Sequence, residues 1–182
     1  MSTLYTDNIR ANNASQITVP TGQKIVGTDS GSIVAPGHVI QTVFAQSTAY
    51  VQTSVSDLTA PVDCLSATIT PKSSSSKILV LASHIVGGSA DGIGVNVFLK
   101  RGGTLLPISE IGGDTAGLMV YGIARPNDHS AHHGFQHLNS PNTTSATTYT
   151  VAIGRYGGSG TANYHMNGTK DKNTLTLMEI AQ

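Results

Sequence analysis

Histidine is the densest chemically versatile residue in this chain. His129, His132, His133 and His137 fall within one short segment. Imidazole is a common ligand for divalent metals and the side chain whose charge changes near neutral pH. If residues 131–138 form a strand, alternation puts His133 and His137 on one side and His132 on the other. Two ligands per chain, repeated about a threefold axis, would hold a divalent ion. The same residues also serve as polar strand or interface positions with ordinary hydrogen bonds. That reading is preferred, so neither a metal nor any other cofactor is expected.

Other residue types offer less. No serine sits in a G-x-S-x-G elbow. Glu110, Asp114 and Asp128 lie in glycine-rich or loop sequence, and their spacing defines no carboxylate pair for acid–base work. Gly92-Ile93-Gly94 lacks the rest of a dinucleotide fingerprint. Cys64 is the single cysteine, which excludes an internal disulfide and a zinc–thiolate cluster and reads as a small buried apolar residue. The triplets at Asn13, Asn142 and Asn167 match glycosylation acceptors but read as turns. Tyr121, Tyr149, Tyr156 and Tyr164 have faces suited to sugar rings, and Tyr156, beside the glycine run 157–160, is the best exposed candidate. No enzymatic activity is expected.

The elements that must position these residues are strands. Residues 65–70 alternate in the manner of a half-buried strand, 71–76 are a solvated turn, and Lys77–Ala82 is an apolar run that reads as a strand buried on both faces. The stretch is expected to be a central β-hairpin. Further strands are expected near 39–45, 50–54, 95–101, 104–108, 117–124, 131–138, 147–155, 162–166 and 174–180, with breakers such as Gly87-Gly88, Gly112-Gly113 and Asn139–Asn142 between them. Arg101-Gly102-Gly103-Thr104 has the form of a two-residue hairpin turn. No segment has helical periodicity. Many short strands at regular spacing imply an all-β fold, an antiparallel β-sandwich (jelly-roll-like) knob over residues 39–182.

Residues 1–38 differ. Short β-type pieces at 16–19, 24–26 and 32–35 are punctuated by glycine and proline, and Ile17-Thr18-Val19-Pro20 is echoed by Ile33-Val34-Ala35-Pro36. Ile17, Val19, Ile25, Val26, Ile33 and Val34 have no local partners to bury them, so this extended N-terminal arm either lies on its own domain or, the preferred reading, docks on sister chains or on a larger particle.

Composition narrows the partners. Only 11% of the 182 residues are charged, against about a quarter in an ordinary soluble chain, and the net charge is zero. Without a basic stripe the chain is not expected to bind nucleic acid. No apolar run is long enough for a membrane helix, and residues 1–13 lack the apolar core of a signal peptide, so no membrane insertion is expected and synthesis is assigned to a cytoplasm.

Three pieces resemble virion structural, tail-fibre-like proteins of marine and cyanobacterial tailed bacteriophages. They are ITVPTGQKIVGTDSGSIVAPGHVIQ (17–41), SATITPKSSSSKILVLASH (66–84), and NSPNTTSATTYTVAIG (139–154) with the terminal TLTLMEIAQ (174–182). The resemblance implies a homotrimer in the virion, joined to other virion proteins through the N-terminal arm. It would present a C-terminal knob whose receptor-facing residues would include Asn127, Asp128, His129 and Tyr156, with a host surface glycan as a partner. Fibres of this kind that hold metal on the axis use a His-x-His repeat, which this sequence lacks, leaving His133 and His137 as the nearest equivalent. The alternatives carried with it are a capsid decoration or head-fibre protein and a carbohydrate-binding module.

Overall fold

The computed structural model describes residues 19–27, 33–57, 59–90, 92–107, 118–121, 129–164 and 172–182. Among them are eleven strands and no helix. In chain order these are β1 (Val39–Ser47), β2 (Val51–Thr53), β3 (Val62–Ile69), β4 (Lys77–Gly88), β5 (Gly94–Arg101), β6 (Thr104–Leu106), β7 (Leu118–Tyr121), β8 (His129–Asn139), β9 (Thr147–Tyr156), β10 (Ala162–Tyr164) and β11 (Asn173–Ile180). The fold is therefore all-β, and every pairing is antiparallel. The chain divides into two compact units, Met1–Ile33 and Val34–Gln182.

The strands form two sheets. One has the order β1-β11-β4-β10-β2, with β8 also on β4, and the other β3-β9-β5-β6, with β7 also on β5. The pairing is nested along the sequence: β5 with β7, β4 with β8, β3 with β9 and β1 with β11. The chain folds back on itself as one long double-stranded ribbon: β1–β11 and the short β2–β10 lie in the first sheet, β3–β9 in the second, β4–β8 in the first and β5–β7 in the second. That is the connectivity of a jelly roll, which limits exposed edges by wrapping two sheets over one core.

This topology corrects the central-hairpin expectation. β3 and β4 do not pair. β3 lies in the second sheet against β9, and β4 lies in the first between β11 and β8. The connection at 70–76 crosses from sheet to sheet, so Leu65, Ala67 and Ile69 face the interior from one side while Ile78, Val80 and Ala82 face it from the other. The expected turn at Gly102-Gly103 does join a hairpin, β5 to β6, and its glycines have φ of +54° and +86°, which L side chains rarely adopt.

Burial on β4 also differs from expectation. Ile78 and Val80 are fully buried, but Leu79 and Leu81 on the opposite face are only half-buried. The strand buried on both faces is β5. Val97 and Leu99 point into the sandwich, Asn96 and Phe98 point the other way, and all four are inaccessible to solvent. In the N-terminal segment residues 24–26 and 33–35 form no strand, and the expected piece at 16–19 lies outside the described residues except for Val19. The sequence echo there becomes a pair of turns. The Gln23 amide donates to the Pro20 carbonyl, the His38 amide donates to the Ala35 carbonyl, and Gly22 and Gly37 occupy the positive-φ positions at +85° and +83°.

The two faces of the first sheet should differ in mutational cost. Leu177→Ala empties the sealed interior and should cost about 2–5 kcal/mol. Leu81→Ala, on the half-buried face of β4 between β11 and β8, should cost less than half as much. Chemical denaturation of both variants checks this, and equal losses would contradict the assigned faces.

Candidate functional site

The arm residues lie at the surface wherever they are described. Val19, Ile25, Val26, Ile33 and Val34 are all exposed, Ile25 and Val26 by about two thirds, at 68% and 66%. Ile17 lies outside the described residues. A cluster of apolar side chains left in water along an irregular segment is suited to docking, because main-chain groups and alternate side chains are both available to a partner.

At the other candidate surface, Tyr156 ends β9 and is exposed, immediately before the turn at Gly157–Gly160. Arg155 holds that turn. Its Nη1 donates to the carbonyls of Gly157 and Gly158, and its Nε donates to Ser54 O at 3.2 Å. Gly157 and Gly158 need positive φ, and a Cβ on Gly160 would lie 2.3 Å from Ile93 Cδ1, so the turn is packed on its inner side while Gly157–Ser159 face solvent. Asn127 and Asp128 lie outside the described residues. His129 begins β8, and only its backbone is described.

β8 distributes the histidines as strand alternation requires. His132 is on the outer face, where Nε2 lies 2.8 Å from Ser83 Oγ. His133 and His137 point inward, half-buried, beside His84 and Val80 of β4. Among the described residues no three of His, Cys, Asp or Glu come together as a metal-binding group.

The histidine that matters most to the fold is one the sequence did not single out. His84 is fully buried, with its ring stacked on Tyr164 at 5.8 Å and tilted against Phe135 at 5.8 Å. Neither ring nitrogen has a hydrogen-bond partner among the described residues, and the same holds for Tyr164 Oη and Asn173 Nδ2. Burial, reinforced by His133 and His132, pushes the imidazole down to about 4. Burial likewise raises the Cys64 thiol to about 12, which keeps it protonated and unreactive at neutral pH.

A third feature is an open cleft of about 310 Å³ lined by Arg101, Gly102, Pro141, Thr143, Thr147 and Thr148. Arg101 Nη1 donates to Asn139 Oδ1 at 2.9 Å and to Ser140 O at 3.1 Å, and Tyr149 Oη donates to the same Asn139 oxygen at 2.8 Å. These bonds orient the guanidinium at the cleft wall. The cleft brings no described nucleophile and general base together, and the described hydroxyl–imidazole contact, Ser83 with His132, lies on the outer face of the first sheet.

The fold and these surfaces define an antiparallel β-sandwich of jelly-roll connectivity with little surface charge. No family model and no curated protein matches the sequence. Among solved structures, the chain is similar to one described as the structure of infectious bursal disease virus Gx strain. The match has 13% identity and a TM-score of 0.35, and it covers 78% of this chain and 36% of that one. Among the described residues no helix is long and apolar enough to cross a membrane.

The His84 environment makes stability depend on pH. The folded-state value near 4 lies below the ordinary 6.5, so between these values the unfolded chain takes up a proton that the folded chain excludes. Stability should be full above pH 6.5 and fall as the pH drops towards 4, by about 3 kcal/mol. His133 and His137 are shifted the same way by burial and add to the slope. His84→Phe keeps the ring contacts and removes the titrating group, so its melting temperature should vary much less across this window. Superimposable wild-type and variant profiles would exclude His84 as the cause.

Proposed function

We propose that this chain is a non-enzymatic structural protein of a bacteriophage virion, a trimeric fibre or fibre-tip component. Residues 1–38 attach it to other virion proteins, and the knob loops meet the host surface. The observation that carries the reading is the arm: Val19, Ile25, Val26, Ile33 and Val34 are exposed, on a segment whose described residues up to 38 form no strand. The nearly uncharged surface and the sequence resemblance support the same assignment. Tyr156, with the rigid turn that follows it, is the described part of the receptor-facing surface, and a glycan is the fitting partner because an aromatic face packs on sugar C–H groups.

Complementation of a phage lacking this protein tests the division of labour. Deletion of residues 1–38 should leave a soluble β-rich knob that no longer enters particles. Tyr156→Ser combined with Ser159→Asp should leave incorporation intact and lower adsorption to host cells. Normal incorporation of the armless chain would refute the attachment role. Normal adsorption of the loop variant would favour a capsid decoration protein over a fibre.

A further inference from the structure

One end of the sandwich is closed by a cation whose charge no described acid offsets. The register places Thr147 of β9 opposite Ile69 of β3, Tyr149 opposite Arg101 of β5, and Asn139 of β8 opposite Ile78 of β4. The segment that leads in from the arm is fastened at this same end, with the Gly37 amide donating to the Ala181 carbonyl at 2.9 Å. Tyr156 and the turn after it are at the far end of β9. Alternation puts Arg101 on the inner side of β5 with Val97 and Leu99, and the side chain reaches across to the other sheet.

Both hydrogens of Arg101 Nη1 are used on neutral acceptors, Asn139 Oδ1 and Ser140 O. Asn139 is itself held by the hydroxyl of the buried Tyr149. The guanidinium is thus fixed, while its Nε and Nη2 donors, the parallel pair that fits a carboxylate, have no partner among the described residues. The one described ion pair is Lys100 with Asp63, so no described carboxylate neutralises Arg101. The cleft of about 310 Å³ beside it has no acid in its described lining. Thr143 Oγ1, in that lining, accepts from the Ser145 amide at 3.0 Å and keeps its own hydrogen to donate. Lys72 and Lys77 stand at the same end, and the acid there, Glu179, is buried with both oxygens engaged inside the fold.

We infer that this cleft binds a carboxylate, and that the carboxylate is an acidic side chain of a neighbouring protein. Charge selects the group. One fixed guanidinium with hydroxyls beside it matches one monoanion, whereas a nucleic acid takes a row of cations. A guanidinium already oriented by neutral bonds loses little freedom when the anion arrives. Location selects the source. The cleft is at the end where the arm joins the knob, away from Tyr156, and its described lining has no aromatic ring on which a sugar could stack. Calling that neighbour a virion protein rests on the proposed function, whereas the site rests on the cleft alone.

Titration of the full chain, followed through the arginine Nε–H resonances by NMR, tests this. The probe is N-acetyl-glutamic acid α-amide, which presents only the side-chain carboxylate. The Arg101 resonance should shift and saturate below ~50 mM. The matching glutamine amide, and sodium chloride at equal ionic strength, should leave it in place. In Arg101→Gln the backbone amides of Thr143 and Thr147 should lose their saturable response. If that variant folds poorly, because Arg101 joins the two sheets, Ala146→Glu serves. Ala146 is exposed at the rim, so the melting temperature should hold while a tethered carboxylate raises the apparent dissociation constant at least ~fivefold. Absence of saturation, an equal response to chloride, or unchanged affinity in the variant that folds overturns the site. Tighter binding of glucuronate than of the glutamate amide overturns the assignment to a protein and gives the cleft to an acidic glycan. No particle enters this assay, so its failure leaves the arm's attachment role standing, and normal incorporation of the armless chain leaves the cleft standing.

Discussion

The carboxylate of Glu179 holds together the part of the fold most open to failure. Wrapping a ribbon into two sheets requires the chain to cross between them, and a crossing backbone leaves amides and carbonyls that no ladder satisfies. Glu179 is inaccessible to solvent on the inner face of β11. Its Oε1 accepts from the Lys72 amide at 2.8 Å and the Ser73 amide at 3.3 Å, both in the crossing between β3 and β4. Its Oε2 accepts from Gln41 Nε2 at 2.6 Å, and Gln41 also donates to Thr70 O at 2.7 Å. One side chain thus joins the first strand, the last strand and the crossing. Burial alone would raise its pKa, but the hydrogen bonds from Gln41 and the two amides outweigh burial and lower it, so it stays ionised. Its stabilising effect is present above pH 4.5 and lost as the pH falls below that, a window lying under the one set by His84.

Around that lock the sandwich is unusually neutral. The inner layer is sealed by Leu65, Ile69, Ile78, Val80, Leu175 and Leu177 from both sheets, with Tyr149 and Val151 of β9 completing it. Among the described residues the one ion pair, Lys100 with Asp63 at 2.5 Å, is on the periphery with Asp63 largely exposed, where such pairs contribute little. Stability therefore comes from burial and backbone ladders, and the surface is left to hydroxyls and amides. Such a surface neither repels a second copy through like charge nor recruits a charged partner from a distance.

Much of the strand pattern was legible in the sequence, because alternation and glycine breakers are local signals. Gly102-Gly103 could be read as a hairpin because the turn itself demands positive φ at both residues. Pairing was not legible in the same way. Residues 65–70 and 77–82 have the pattern of adjacent strands whether they sit in one sheet or on opposite sides of a core, and β3 finds its partner in β9, far along the chain. Leu79 and Leu81 misled because a run of apolar residues does not reveal whether its second face is covered. His84 and Glu179 were missed for a related reason. Each is a polar residue on the mostly apolar inner face of its strand, and its importance comes from neighbours contributed by β10, β8, β1 and the crossing turn. Tyr156 was readable as exposed because the glycines after it mark a turn at the end of its strand.

A half-buried row such as Thr42, Met178, Leu79 and Leu138 would be an aggregation hazard on an edge, since an edge also offers unpaired backbone groups. Here the row is shared between β4 and β11, whose backbones are paired on both sides, and β1 and β8, which carry Thr42 and the exposed Leu138 at its two ends. Replacing Leu79 or Leu81 with lysine would make the isolated chain more soluble while leaving the inner layer untouched.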